Sequence, residues 1–322
     1  MWSVIVNPLV SILMPTYNHE RFIKQAIESA LSQKCDYSYE LLINDDCSTD
    51  NTLKIAKEYE ERYPDKIKVF THEKNQGLLK SYKYLLQQAQ GKYIAVLESD
   101  DVWSNENKLQ IQISFLEEHD DYGLVCSDYY TIDENGVKQS DVIKDFDKNQ
   151  NDEWYDALMG FASIGALTII FRKSEYDKYC NIDDFINLKF QTFDRGVWLS
   201  IAKHCKCHYF HEQLAAYRVI SSSISNSGNF EKAYSFAKSV MDIHEYVISK
   251  YGLGKISRKE FDQKKIIWYV NLCITHRNFD EFKKLSRQLQ VTNIKYFAMK
   301  YFTRLWWLQY TLRNPQPKHL SN

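Results

Sequence analysis

Glycine and proline are scarce in this 322-residue chain, with 10 and 5 residues, and neither sign of charge is in excess. The scarcity of both residues excludes collagen-like and low-complexity classes, and a hydrophobic content of 44% excludes a wholly disordered chain. Lysine and arginine number 41 against 42 acidic residues, so no global basic field indicates a nucleic-acid partner. A chain of this length can bury a large core in one or two domains.

Cysteine is present, but in no arrangement that indicates a structural role. The seven cysteines are odd in number and include no Cys-x-x-Cys pair, and Cys205 and Cys207 lie too close together for the usual zinc-site spacing. We interpret them as reduced thiols of a cytoplasmic protein.

The sequence also lacks a long apolar segment. Its first 18 residues carry no charge, but Pro8 and Pro15 interrupt them and no basic segment precedes them, which argues against a signal peptide. The other uncharged run, residues 157–171, is too short to cross a bilayer. We therefore predict no transmembrane helix and a cytoplasmic location.

The first half of the chain alternates between strand-like and helix-like segments. Strands are predicted at 9–14, 40–44, 67–71, 93–98 and 124–127, and helices at 20–33, 49–63, 78–90 and 105–119. This alternation predicts an α/β fold with a mostly parallel sheet. In the looser pattern of residues 129–228 we expect short strands, loops and one helix near 195–204.

After residue 229 the sequence predicts only helices, near 230–250, 257–276, 279–290 and 293–312. The charge changes sign at the same point, because residues 1–229 have a net charge of −11 and residues 230–322 a net charge of +10. We therefore predict a first domain over residues 1–229 and a helical extension over residues 230–322.

Polar and acidic strings follow three of the predicted strands: PTYN at 15–18, NDDCSTD at 44–50 and ESDD at 98–101. Ligands bind beyond the carboxyl ends of parallel strands, so we expect both acidic pairs at one edge of the sheet. Closely packed carboxylates repel one another, and a cation between them relieves the repulsion. The alternative is that these side chains only cap the following helices. It stays open for Ser48 and Asp50, whereas Asp100 and Asp101 are delivered together by a hydrophobic strand.

The phosphate-binding motif GxGxxG does not follow the first strand, and GxxxxGK[ST] occurs nowhere in the sequence. A divalent cation held by aspartates could instead neutralise a diphosphate. Gly77, just before the third predicted helix, either permits a close approach to that helix or is an ordinary turn glycine.

Four strings in order resemble the family 2 glycosyltransferases of the GT-A fold: VSILMPTYNHERFIKQAIESALSQ, YELLINDDCSTDNT, KNQGLLKSYKYLLQQAQGKYIAVLESDD and FDRGVWLSIAKH. The resemblance covers residues 9–226, and it is the order and spacing of the strings that make it specific. It implies an inverting transferase of bacterial surface polysaccharide synthesis, which moves a sugar from a nucleotide-diphosphate donor, with a UDP-sugar expected, to a glycan or lipid-linked acceptor.

The resemblance also implies roles for the residues at the strand ends. Tyr17 and the backbone of Pro15 and Thr16 match the lip that binds the nucleobase, and Asp46 matches the residue that contacts the edge of the base. Lys80 lies where a basic side chain approaches the nucleotide.

The string at 98–101 contains the expected metal site. Ser99 and Asp100 are expected to bind the nucleotide, Asp100 near the ribose, and Asp101 is expected to hold Mn²⁺ or Mg²⁺ together with Asp100. Asp194 matches the catalytic base that takes the proton of the acceptor hydroxyl, a role that an inverting displacement requires. Its alternative role is that of a first-turn acid that stabilises the following helix.

Two positions depart from the family pattern. Phe193 replaces a glutamate that often precedes the base, and Ile220 replaces a histidine, which leaves the third metal ligand undefined. Arg218, or a serine of the segment 221–225, could approach the diphosphate instead. The QxxRW motif of the processive synthases is absent, so one sugar per encounter is expected.

The basic, aromatic tail has three interpretations. Trp306 and Trp307 could pack on the rest of the protein, or the tail could make peripheral contact with the inner face of the membrane, where basic charge is attracted to anionic lipid. Nucleic-acid binding is the least supported.

Two other functional classes stay open at this point. One is a catalytically inactive nucleotide-sugar-binding or scaffold protein, against which stands the set Asp46, Asp100, Asp101 and Asp194. The other is a nucleotidyltransferase, which would carry a glycine-rich basic loop after the first strand, where PTYNHERF stands here.

Overall fold

The computed structural model describes residues 8–142, 154–162, 164–220 and 228–313. Within these residues, eight strands form one mixed sheet. They are β1 (Val10–Thr16), β2 (Tyr39–Asp45), β3 (Ile67–Thr71), β4 (Tyr93–Val96), β5 (Tyr122–Ile132), β6 (Lys138–Val142), β7 (Ile170–Arg172) and β8 (Lys206–Arg218). The strand order is β3-β2-β1-β4-β7-β5-β6, with β8 paired to β5.

The α-helices of the first part of the chain are α1 (Ile23–Leu31), α2 (Thr52–Arg62), α3 (Leu78–Gln88), α4 (Lys108–Glu118), α5 (Trp154–Met159), α6 (Lys173–Tyr179), α7 (Ile182–Asn187) and α8 (Asp194–Ala202). Those of the C-terminal part are α9 (Phe230–Tyr251), α10 (Arg258–Thr275), α11 (Phe279–Ser286), α12 (Ile294–Tyr301) and α13 (Thr303–Arg313). No helix among the described residues is long and apolar enough to cross a bilayer.

The predicted parallel arrangement is confirmed in the first half of the chain. Strand β1 pairs in parallel with β2 and β4, and Leu13 faces Leu42 on one side and Val96 on the other. Every residue of β1 is buried, which explains its almost continuous apolar sequence, because a parallel strand is covered on both faces.

Alternate residues of these strands supply two hydrophobic layers. On one face of the sheet, Leu13 belongs to a cluster with Leu85 of α3. On the other face, Ile12 belongs to a cluster with Ala26 of α1 and Leu109 of α4. The helices therefore cover both faces and leave the strand ends at the edge available for a site.

The helical C-terminal region is confirmed, and its first helix packs against the sheet domain. Ile243 and Val247 of α9 lie in the same cluster as Leu13 and Leu85. The later helices form a third cluster around Phe282. The division of the chain at residue 229 stays a prediction, since α9 shares the core of the first part.

The structure differs from the sequence prediction in two regions. Within 129–228 we expected one helix and short strands, but α5, α6 and α7 precede α8, and β8 is 13 residues long. The single helix expected at 293–312 is two helices, because the backbone leaves the helical conformation at Phe302.

Candidate active site

The ends of β1, β2 and β4 meet at one edge of the sheet, as the sequence predicted. Thr16 at the end of β1 pairs with Asp45 at the end of β2, and the backbone N–H of Asp46 donates to the carbonyl of Thr16 at 2.9 Å. Because β4 lies on the other side of β1 in parallel, the string at 98–101 leaves the sheet at the same edge. The two acidic pairs therefore follow strands that lie on either side of β1.

Asp46 is fixed by the loop that opens α3. Its two carboxylate oxygens accept the backbone N–H groups of Gln76 at 2.8 Å and Gly77 at 2.7 Å. Gly77 has a φ of +89°, a conformation that favours glycine, and it directly precedes α3. A side-chain carbon at Gly77 would meet no atom within 4 Å, so of the two interpretations the structure supports the turn glycine, which the positive φ requires.

Tyr17 and Thr16 differ sharply in exposure. Tyr17 is 44% exposed, whereas Thr16 is buried and its hydroxyl has no hydrogen-bond partner among the described residues. Pro15 lies within β1, where it pairs with Asn44 of β2. An exposed aromatic ring beside buried polar atoms can bind a flat, polar ring such as a nucleobase.

Three carboxylates form a compact cluster after β4. Oxygens of Glu98, Asp100 and Asp101 lie within 4.8 Å of one another. Asp101 is 1% exposed, and its Oδ2 has no hydrogen-bond partner in the described part of the chain. Burial and the charges of Asp100 and Glu98 raise the pKa of Asp101 well above its usual range. Burial, Asp100 and Asp194 likewise raise the pKa of Glu98 to about 8.

This donor set fits a divalent cation. Hard cations such as Mg²⁺ and Mn²⁺ are bound through carboxylate oxygens, and an unsatisfied buried oxygen in an acidic cluster is stabilised when a cation occupies the site. Glu98 adds a third carboxylate to the two that the sequence analysis assigned. The sequence signal was present in the ESDD string, but the spacing alone did not show that its first acid reaches the other two.

Arg218 holds this cluster in place through hydrogen bonds of its backbone and side chain. Its backbone N–H donates to Oδ1 of Asp101 at 2.8 Å, and its side-chain Nε donates to the carbonyl of Asp100 at 2.8 Å. The other guanidinium nitrogens donate to the carbonyl of Asp133 and to Oε1 of Gln25. The guanidinium is therefore fully engaged with the protein itself. The segment 221–225, the other suggested source of a diphosphate contact, lies outside the described residues.

Asp194 is the first residue of α8, and its carboxylate accepts a hydrogen bond from the hydroxyl of Thr192. It follows Phe193, whose ring lies 4.2 Å from that of Tyr82, and its charge raises the pKa of Tyr82 and of Glu98. No side chain caps the amino end of α8 through a hydrogen bond. The helix dipole nevertheless favours an acid in this first turn.

Phe193 has a packing role at the position where relatives often carry glutamate. It is buried and stacks on Tyr82 with ring centroids 4.2 Å apart. The hydroxyl of Tyr82 in turn donates to Glu98 at 3.2 Å. The aromatic pair therefore connects the start of α8 to the carboxylate cluster.

Ser99 and Lys80 lie in different settings. Ser99 is buried, and its hydroxyl lies 2.7 Å from Nδ1 of His19, a residue that the sequence analysis did not single out. A lone histidine in a polar loop carries no pattern that would reveal this contact. Lys80 is an exposed residue of the first turn of α3, which follows the loop that binds Asp46.

Comparisons with known proteins identify the family of this chain. The sequence model for Glycosyl transferase family 2 matches residues 11–174. EpsE of Bacillus subtilis, named as a glycosyltransferase, is 40% identical over 42% of this chain and 49% of its own length, so the match spans about half of EpsE.

Two further relatives match over most of their length. TuaG of Bacillus subtilis, whose name assigns it to teichuronic acid biosynthesis, is 31% identical over 69% of this chain and 83% of its own. The UDP-Glc:alpha-D-GlcNAc-diphosphoundecaprenol beta-1,3-glucosyltransferase WfgD of Escherichia coli is 31% identical over 68% and 80%.

Two solved structures share the fold. Residues 1–349 of S. aureus TarS in complex with UDP-GlcNAc give a TM-score of 0.58 at 18% identity and cover 96% of this chain and 93% of that one. The mannosyltransferase PcManGT of Pyrobaculum calidifontis, in complex with GDP-Man and Mn²⁺, gives 0.56 at 12% identity over 96% and 88%. This chain belongs to glycosyl transferase family 2, and its sheet domain has the GT-A fold.

Proposed function

We propose that this glycosyltransferase moves one sugar from a nucleotide-diphosphate donor, a UDP-sugar, to a glycan or lipid-linked acceptor of surface polysaccharide synthesis, with inversion at the anomeric carbon. The observation that carries the proposal is the convergence of Glu98, Asp100 and Asp101 at the strand ends. Asp194 is connected to this cluster through the neighbouring Phe193, which stacks on Tyr82, the hydrogen-bond donor to Glu98. The names of TuaG and WfgD support the polymer and the lipid-linked acceptor.

The donor would bind across the strand ends. We assign the nucleobase to Tyr17, Asp46 and the backbone of Pro15 and Thr16, since the carboxylate of Asp46 is already oriented by two backbone N–H groups. Ser99 and Asp100 would lie toward the ribose, and Lys80 toward the nucleotide phosphates. Preoriented polar groups bind a ligand at a low entropic cost.

Asp101 and Asp100 would hold Mn²⁺ or Mg²⁺, and Glu98 would supply the ligand that the family pattern assigns to the histidine replaced by Ile220. When bound, the cation neutralises charge on the diphosphate leaving group. The unsatisfied Oδ2 of Asp101 is the atom that supports this assignment.

Asp194 would accept the proton of the acceptor hydroxyl while the oxygen of that hydroxyl forms a bond to the anomeric carbon of the donor. The bond from that carbon to the diphosphate oxygen breaks in the same displacement, and its electron pair leaves with the nucleoside diphosphate. Attack from the face opposite the leaving group inverts the anomeric configuration.

A panel of nucleotide sugars, assayed with and without Mn²⁺, tests the proposal. We expect one UDP-sugar to raise the thermal midpoint in the presence of the metal and to be transferred or slowly hydrolysed. The variant Asp101→Asn keeps an acceptor for the backbone N–H of Arg218, but it should lose the metal-dependent part of the thermal shift and of the turnover. The control variant Asp65→Asn, on an exposed loop, should keep both. Binding without any turnover would favour the inactive scaffold protein, and full activity in EDTA would contradict the metal assignment.

A further inference from the structure

Helices α12 and α13 have an inner face that packs on the protein. Trp306 stacks on Phe282 of α11 with centroids 5.4 Å apart, and Trp307 lies 5.5 Å from Phe279 and 4.9 Å from Phe282. Met299 of α12 is fully buried in the same cluster. These contacts fix both helices against α11, so the orientation of their other face is defined.

The outer face of the two helices exposes large apolar side chains. They are Ile294, Phe297 and Tyr301 on α12, then Phe302 between the helices, and Leu305 and Leu308 on α13. Ile294 is 86% exposed and Leu305 is 67% exposed. The ring of Phe297 lies 5.0 Å from that of Tyr301 and 6.0 Å from that of Phe302. Tyr301 and Phe302 line one groove with Leu305 and Leu308 of α13, so the two helices contribute to one patch. A contiguous exposed apolar patch of this kind indicates an interaction surface.

The sequence of these helices carries charge of a single sign. After Glu281 the sequence contains eight lysines and arginines and no acidic residue. Two of these basic residues, Lys283 and Arg304, line an open groove together with Tyr301, Phe302 and Leu305. Lys295 is exposed beside Ile294. The surface therefore combines apolar side chains with basic ones.

We propose that this outer face of α12–α13 docks the protein on an anionic lipid bilayer. A bilayer surface offers an apolar layer for the exposed rings and negative headgroups for the basic side chains. A second copy of the chain fits less well, because a two-fold interface would bring the same basic residues against each other. Since no described helix is long and apolar enough to span the membrane, this contact would be interfacial.

Co-sedimentation of the full chain with vesicles tests the proposal without any donor or acceptor. We expect binding to vesicles of equal parts phosphatidylglycerol and phosphatidylcholine, and little binding to phosphatidylcholine alone. Binding should fall as salt rises, because the charges are screened. Each basic residue near the surface is expected to contribute about fivefold to the affinity.

Two double variants separate the apolar and the charged contributions. The double variant Ile294→Ser/Leu305→Ser should weaken vesicle binding at least tenfold and leave its salt dependence unchanged. The double variant Lys295→Glu/Arg304→Glu should also weaken vesicle binding at least tenfold, but it should make the binding less dependent on salt. The matched controls are Leu188→Ser and Lys54→Glu, at an exposed leucine and an exposed lysine elsewhere. All six positions are exposed, so thermal midpoints should be unchanged.

Three outcomes would overturn the proposal. The first is wild-type protein that stays in the supernatant with anionic vesicles. The second is equal binding by the Ile294→Ser/Leu305→Ser variant. The third is a dimer in light scattering that this double variant dissociates, without vesicle binding by the wild type, which would assign the face to a second copy. None of these outcomes affects donor turnover, so they are distinguishable from a failure of the proposed transfer reaction.

Discussion

At the scale of single residues, Asp194 carries the most specific chemical expectation. Asp194→Asn keeps the shape of the side chain and its contact with Thr192 but removes the basic oxygen. We expect kcat to fall by roughly 10²–10⁴, the usual contribution of a general base. Donor binding should change little, because the base would face the acceptor. Turnover assays measure the effect on kcat, and titration with the donor measures its binding. Normal turnover of Asp194→Asn would assign the base to another carboxylate.

Arg218 offers a second test, which concerns the geometry of the carboxylate cluster and not proton transfer. Arg218→Lys keeps one positive charge, but a single ammonium cannot reproduce the guanidinium contacts to Asp100, Asp133 and Gln25. We therefore expect Mn²⁺ affinity to fall by roughly 10- to 100-fold, as is usual when the support of a metal ligand is removed.

Calorimetric titration with Mn²⁺ alone measures this effect of Arg218→Lys without any catalysis. The matched control is Arg62→Lys at the exposed end of α2, where the guanidinium lies over the ring of Tyr59. A variant at Arg218 with unchanged Mn²⁺ affinity would show that the cluster does not depend on this support.

At the scale of elements, α9 connects the two parts of the chain through a buried histidine. His244 is fully buried, and its two ring nitrogens contact the carbonyls of Val240 at 2.8 Å and Leu158 at 3.4 Å. Burial and the charge of Arg195 lower the pKa of His244 to about 4. The packing of α9 against the first part of the chain therefore favours the neutral form of the His244 ring.

This lowered pKa predicts a pH dependence of stability. The unfolded chain protonates His244 below about 6.5, whereas the folded protein resists protonation until about pH 4. Between these values the unfolded state binds more protons, so the free energy of unfolding falls as the pH falls, by about 3 kcal/mol in total from this group. Above pH 6.5 its contribution is fully present.

Urea unfolding at pH 7.5 and pH 5 measures this contribution. The variant His244→Gln should be less stable at neutral pH but lose less stability on acidification than the wild type. His276→Gln, at a half-buried histidine of the same helical region, serves as the control and should keep the wild-type dependence. An equal loss of stability in wild type and His244→Gln would contradict the assignment.

The elements also show where sequence patterns suffice and where they fail. Fully buried strands such as β1 and β2 have apolar runs that predict strands, and α1 has a regular apolar stripe that predicts a helix. By contrast, β8 mixes charged and aromatic residues because only part of it is buried. The break at Phe302 carries no sequence signal, since neither proline nor glycine lies there.

At the scale of the whole molecule, the candidate site was predictable in position but not in detail. The parallel order of β2, β1 and β4 follows from the strand–helix alternation, and it brings the acidic strings to one edge. The contacts of Arg218 with Asp100 and of His19 with Ser99 join residues that are 118 and 80 positions apart. Long-range contacts of single polar residues leave no periodic signal in a sequence.

The packing of the C-terminal helices gives a prediction for the molecule as a whole. A chain that ends at Gln290 would lack Met299, Trp306 and Trp307, and it would expose Phe279 and Phe282 of α11. Met299 is fully buried, and the loss of a buried side chain of this size costs about 2–5 kcal/mol. We therefore expect the truncated chain to unfold at lower urea concentration and to aggregate on warming.

The carboxylate cluster at 98–101 packs with β8 and α1 and shares no contact with α12 or α13 among those described above. Donor hydrolysis by the truncated chain should therefore persist at low temperature, where the sheet domain stays folded. Urea unfolding followed by tryptophan fluorescence, together with a hydrolysis assay in the cold, measures both parts. Wild-type stability after truncation would mean that the inner face of α12–α13 contributes no packing energy. Hydrolysis lost in the cold while the sheet domain stays folded would instead mean that the donor site depends on the C-terminal helices.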